Sequence, residues 1–306
     1  MEDVKCKKIK AIYTKQNEEF EKPVKRTFNI DDQIKVSISQ NTKTRLLVIT
    51  SNKKKSFNKL YEYVTKIERL LMIFDGQFYF LEKIEFFDYE EKFKDRIRSY
   101  EIDILRTRLD YYKSGDFCKN SKIIDFEKIL SKELYIKWDK LLKELDVVHQ
   151  LFLYMVSDNK LTIDIKCAFL IELCESLVEI LNQYYRDFPS LKPGKKGTTL
   201  NDCINAVITK YGTDIFEKEL NFNINKVIEI MVCSRVKIMH IKRNKTKILN
   251  GEESLIYCIK MMLLYRKIIL ILLGLDKEDY ENFIYRIVKK IDIYEGIQQR
   301  FINKIK

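Results

Sequence analysis

Hydrophobic and polar positions change rhythm partway along the chain. Between Gln33 and Ser39 they alternate, with Ile34, Val36 and Ile38 on one side, the period of a half-buried strand. Arg45 to Thr50 is a short apolar run and predicts a second, more buried strand. The polar Ser51 to Lys55 then reads as a connection. Ser56 is placed to cap a helix whose stripe runs through Phe57, Leu60, Tyr61, Val64, Ile67 and Leu71. Asp75-Gly76 ends it with a turn. Phe78 to Phe87 is aromatic and β-prone, and Tyr100, Ile102 and Ile104 alternate again, so further strands are expected there.

From Asp125 the spacing becomes helical. Leu130, Leu134, Trp138, Leu141, Leu145, Val148 and Phe152 recur every three or four residues and predict one helix over Asp125–Ser157. Further helices are expected at Thr162–Asp187, Leu200–Tyr211, Phe222–Lys247, Glu252–Leu273 and Lys277–Lys304. Pro189 to Thr199 reads as a loop, Gly251 as a break, and Gly274 as a helix C-cap. The expected fold class is therefore α+β. Residues 1–158 form an N-terminal domain with a small mixed sheet and helices, and residues 159–306 form an all-α bundle.

Composition agrees with this division. Across 306 residues there are only 8 Gly and 3 Pro, too few turn formers for a many-stranded sandwich or barrel. Hydrophobic residues make up 46%, enough apolar surface to disfavour intrinsic disorder. Seven cysteines lie scattered without a CxxC pair, so neither a disulfide framework nor a zinc ribbon is indicated. A reduced, cytoplasmic setting is expected, without a signal peptide at the charged Met1–Lys10. The most apolar stretch, Leu255–Leu273, carries Lys260, Arg266 and Lys267 and reads as a buried helix rather than a membrane span. Lys and Arg number 57 against 45 Asp and Glu, a net charge of +12 that favours polyanionic partners.

Candidate chemistry is sparse. The chain has two histidines, His149 and His240, which disfavours a Ser-His-Asp hydrolase or a multi-histidine metal centre. Phosphate-binding glycine loops and HExxH are absent from the sequence. No cofactor and no metal is expected. His149 lies in an apolar stripe and reads as a structural histidine. His240 instead follows Arg235 by five positions, in a window with Lys237, Lys242, Arg243, Lys245 and Lys247 and no acid. A histidine can move a proton near neutral pH. An arginine fork can hold phosphate oxygens. Basic neighbours can hold an RNA backbone in register. Those parts suffice for a ribonuclease in which the 2′-hydroxyl attacks its own phosphate. Five residues turn a helix by about 500°, so the two side chains start roughly 140° apart. Either the helix is distorted or two copies share a composite cleft.

An arginine, four residues and a histidine on the penultimate long helix of a bundle resembles the signature of the HEPN superfamily. Cys233 to Leu275, with its basic loop and an apolar helix ending in Leu-Gly-Leu, is similar to the Apea-like HEPN domain of predicted abortive-infection proteins. Ala168 to Leu181 resembles that family's first HEPN helix, with Glu175 at the matched inward acidic position and Glu172 one turn earlier. Leu46 to Glu85 resembles the accompanying N-terminal domain, shortened here. The resemblance implies a metal-independent endoribonuclease in anti-phage defence. Arg235, His240 and Glu175 would be its catalytic residues, and Lys237, Lys242, Arg243, Lys245 and Lys247 its RNA-binding residues. It further implies RNA as substrate, a homodimer, and a phage-derived or protein trigger. Active members commonly carry a polar residue after the arginine, and this chain has Val236. The alternative is a non-catalytic HEPN module that binds RNA, a nucleotide or a protein.

Overall fold

The structure, a computed structural model, describes residues 5–15, 20, 22–87, 97–100, 121–157, 160–184, 199–241, 247–292, 296, 301 and 303. The chain divides into two compact units, Met1–Ser114 with Ile124–Lys140, and Gly115–Ile123 with Leu141–Lys306.

The first unit is built on a sheet of six strands: β1 (Lys5–Thr14), β2 (Val24–Asn29), β3 (Ile34–Gln40), β4 (Thr44–Ser56), β5 (Phe80–Phe87) and β6 (Ile97–Tyr100). Their order is β2-β3-β4-β1-β5-β6. The small sheet expected as mixed is antiparallel in every described pairing. The expected strands are present at β3 and β5. β4 runs on through Ser51–Lys55, read from the sequence as a connection, because the backbone there pairs with the start of β1, Cys6 opposite Lys55. Ile102 and Ile104 lie outside the described residues.

Helix α1 (Phe57–Asp75) covers one sheet face and buries Leu60, Val64, Ile67 and Leu71 of the expected stripe, with Phe57 and Tyr61 half-buried. Ser56 caps it, its hydroxyl accepting from the Lys59 N–H at 3.3 Å. Gly76 closes it at φ 72°, donating its N–H to the Met72 carbonyl. Phe78, Phe86 and Phe87 are buried, as sheet core. The half-buried Glu68 lines a small, partly open pocket with Tyr13, Arg45 and Gln77.

The expected helix Asp125–Ser157 is two elements, α2 (Phe126–Ile129) and α3 (Lys132–Val156). Leu130 turns extended and Ser131 caps the next turn, its hydroxyl accepting from the Leu134 N–H. Trp138 on α3 is fully buried and donates its indole N–H to the Lys66 carbonyl at 2.7 Å.

The second unit is helical: α4 (Ile163–Tyr184), α5 (Leu200–Tyr211), α6 (Glu217–Phe222), α7 (Ile224–His240), α8 (Gly251–Leu272) and, after a 3-10 turn at Lys277–Asp279, α9 (Glu281–Asp292). α4 packs against α5, α7 and α8. The loop Pro189–Thr199 lies outside the described residues except Thr199, which caps α5 in a box with Asp202. α8 is buried almost all round. Within it, Lys260 pairs with Glu219 at 2.5 Å and Lys267 with Asp214 at 2.6 Å. Gly274 ends this helix with φ 74°, and Leu275 donates back to the Leu270 carbonyl at 3.1 Å, the pairing of a Schellman cap. No described helix is long and apolar enough to cross a membrane. His149 is fully buried, its Nδ1 3.0 Å from the Tyr265 hydroxyl and its ring stacked near Phe152.

Candidate active site

The site forms where α7 ends beside α4. Asn223 caps the start of α7, its side chain accepting from the Lys226 N–H. The helix then runs unbroken to His240. It stops there, not at Lys247, because Ile241 takes a left-handed conformation (φ 51°, ψ 40°). Ser234 anchors the return of the chain. Its hydroxyl donates to the Ile230 carbonyl at 2.7 Å and accepts the Leu249 N–H at 2.8 Å. Both ends of the basic segment are thus fixed within a turn or so of Arg235. Asn250 then opens α8 through a capping box with Glu253.

Arg235 and His240 meet within one chain. Arg235 Nη1 lies 3.0 Å from His240 Nε2. Neither a helix distortion nor a second copy is needed to bring the two side chains together. Five residues rise only about 7.5 Å along the axis, and helical side chains lean toward the N-terminus. The ring of the last helical residue therefore leans back over the turn that carries the long arginine. Arginine only donates, so Nε2 accepts and a neutral ring carries its proton on Nδ1.

The arginine is held from its other side by Glu172 on α4. Arg235 Nη2 donates to Glu172 Oε1 at 2.5 Å, and Nε lies 2.5 Å from Oε2 as an ion pair without an aligned hydrogen bond. The Arg235 side chain keeps 17% of its surface and Glu172 keeps 29%, while His240 is exposed. A half-buried charge pair thus presents an accessible imidazole.

Glu175, the acidic residue matched from the sequence, is exposed and faces a different neighbour. Burial pushes the Cys203 thiol on α5 up to about 11, and the charge of Glu175 adds to that shift. The carboxylate on Arg235 is therefore Glu172. The two positions differ by about 60° around α4. Which one meets the arginine depends on where α7 packs. Val236, next to Arg235 in sequence, is half-buried. Lys237 is half-buried and Lys247 exposed. Lys242, Arg243 and Lys245 lie outside the described residues. Lys237 occupies the last turn of α7, where a cation complements the negative end of the helix dipole. Among the described residues no cluster of His, Cys, Asp and Glu is spaced to hold a metal ion.

Residues 157–279 match the family model of the Apea-like HEPN domain. The segment runs from the residue after α3 to the 3-10 turn and contains Glu172, Arg235 and His240. No curated protein and no solved structure matches the chain.

Proposed function

From the premise that residues 157–279 are an Apea-like HEPN domain, we propose that this chain is a metal-independent endoribonuclease. The domain type points to a nuclease or RNA-related module, and one observation carries the finer reading. A solvent-accessible histidine contacts a half-buried arginine at 3.0 Å, and that arginine is braced by a carboxylate from a second helix. In this reading the scissile phosphate takes Arg235 Nη1 as its donor in place of His240. The freed Nε2 accepts the proton of the attacking 2′-hydroxyl, or returns one to the leaving 5′-oxygen. Arg235 stabilises the negative charge that builds on the phosphorane. Glu172 fixes the arginine plane, the orienting role the resemblance gave to Glu175. Lys237 and Lys247, with Lys242, Arg243 and Lys245, attract the RNA backbone. The products carry a 2′,3′-cyclic phosphate and a 5′-hydroxyl.

The same reading takes the protein as a cytoplasmic homodimer in anti-phage defence. Its N-terminal α+β part senses or restrains, in response to a phage-derived or protein trigger. The second reading, a non-catalytic binding module, is favoured by Val236, which gives neither histidine nor phosphate a polar neighbour.

RNA cleavage in EDTA separates them. Wild type is expected to cut total RNA, while His240→Ala and Arg235→Ala, with oligomeric state checked by light scattering, lose about 100-fold or more. Wild type that binds RNA yet never cuts, even with infected-cell extract added, establishes the binding module instead.

A further inference from the structure

Beyond the matched segment, α9 buries Ile284, Val288 and Ile291 and turns a different face outward. That face holds Tyr285, 62% exposed, with Arg286, Lys289 and Lys290, all exposed. These four side chains fall within an arc of about 140° on two successive turns. The Lys289 ammonium sits 5.8 Å from the Tyr285 ring centre, and the Arg286 guanidinium 5.8 Å from that of Phe283. None of the three cations forms an ion pair among the described residues. Glu281, at the start of the helix, is paired with Lys277 at 3.0 Å.

Cations in a last helical turn complement the dipole, which accounts for Lys289 and Lys290. It does not account for Arg286 in mid-helix, nor for a large aromatic ring left in water between charges. An exposed aromatic face flanked by exposed cations suits one partner chemistry: an unpaired base on the ring, with phosphates on either side held by the cations. A membrane surface fits less well, because the apolar side of α9 that would enter lipid is already buried in the protein.

We infer that the outward face of α9, Tyr285 with Arg286, Lys289 and Lys290, is a second RNA contact that stacks a base of single-stranded substrate. The inference rests on the RNA reading of the domain and adds a surface outside it. It assigns to this chain a preference for single strands over duplex, whose bases are already stacked.

The test is fluorescence anisotropy of the full chain with a labelled twenty-nucleotide 2′-O-methyl RNA, which binds but lacks the attacking hydroxyl. Tyr285→Ala is expected to weaken binding roughly tenfold, and Tyr285→Phe to keep wild-type affinity. Converting Arg286, Lys289 and Lys290 to Gln should lower the slope of log affinity against log salt by about 2. Thermal melts should match wild type, because all four side chains are exposed. Wild-type affinity and slope in all these variants, with wild-type protein binding RNA well, overturns this surface alone. So does a loss confined to vesicles of anionic phospholipid. Failure of wild type to bind RNA at any salt overturns the ribonuclease reading together with it.

Discussion

One carboxylate braces the arginine fork, and its identity matters to rate more than to fold. Glu172→Gln keeps the shape and removes the charge, so Arg235 is left free to swing from the position that contacts His240. We expect the single-turnover cleavage rate to fall about 10- to 100-fold, with little change in substrate affinity. Glu175→Gln should cleave like wild type, and equal losses in both variants would remove the distinction. Ile241 makes a second prediction. A β-branched residue at φ 51° is strained, so Ile241→Gly should stabilise the fold by about 1 kcal/mol, read as a higher Tm. A lower Tm would show that the side chain contributes more than its backbone costs. A third concerns Glu68. Burial pushes its carboxyl up to about 8 from an ordinary value of 4.5. In that window the folded state binds the extra proton, so this group's contribution is full below 4.5 and is lost as pH rises toward 8. Glu68→Gln should therefore gain on wild type in calorimetric Tm between about pH 5 and about pH 9. A constant gap would mean the carboxyl titrates normally.

Among the elements, α8 shows why charge in an apolar run needs a partner. Lys260 and Glu219 are both buried and bonded by two short contacts. Glu219→Ala leaves a buried ammonium uncompensated, and a loss of about 3–5 kcal/mol in denaturant unfolding is expected. Lys260→Met with Glu219→Leu should come within about 1 kcal/mol of wild type. If the double variant falls as far as the single one, packing rather than charge sets the cost. The elements also show what the sequence reveals. Strands with clean alternation, such as β3, and helices with a cap at each end, such as α5 and α8, are legible because the signal is local. β1, central in the sheet, is not. A bulge between Cys6 and Lys8 puts the buried Cys6 and Ile9 three residues apart, which breaks the two-residue period. β2 has no fully buried position and reads as polar chain. The extension of β4 through three lysines is set by pairing with β1 rather than by its own composition.

On the scale of the whole molecule, chain order was legible and neighbourhood was not. The arginine-histidine pair stands out because histidine is so scarce, two in 306 residues. That α4 offers Glu172 rather than Glu175 depends on tertiary placement, which no spacing encodes. The net charge of +12 predicts RNA affinity that falls steeply with salt across the whole surface. Variants of the α9 face, of Lys237 and of Lys242, Arg243, Lys245 and Lys247 should lower its slope most. The hydroxyl of Ser234 has a consequence of another kind. It ties the segment that follows α7 back to the helix it left, like the knot of a noose. Lengthening a closed loop costs only about 0.6 kcal/mol per doubling, so insertions after Ile241 should leave the knot tied. This protein can therefore vary the reach and wording of its basic segment over generations while its arginine and histidine keep their grip on one another.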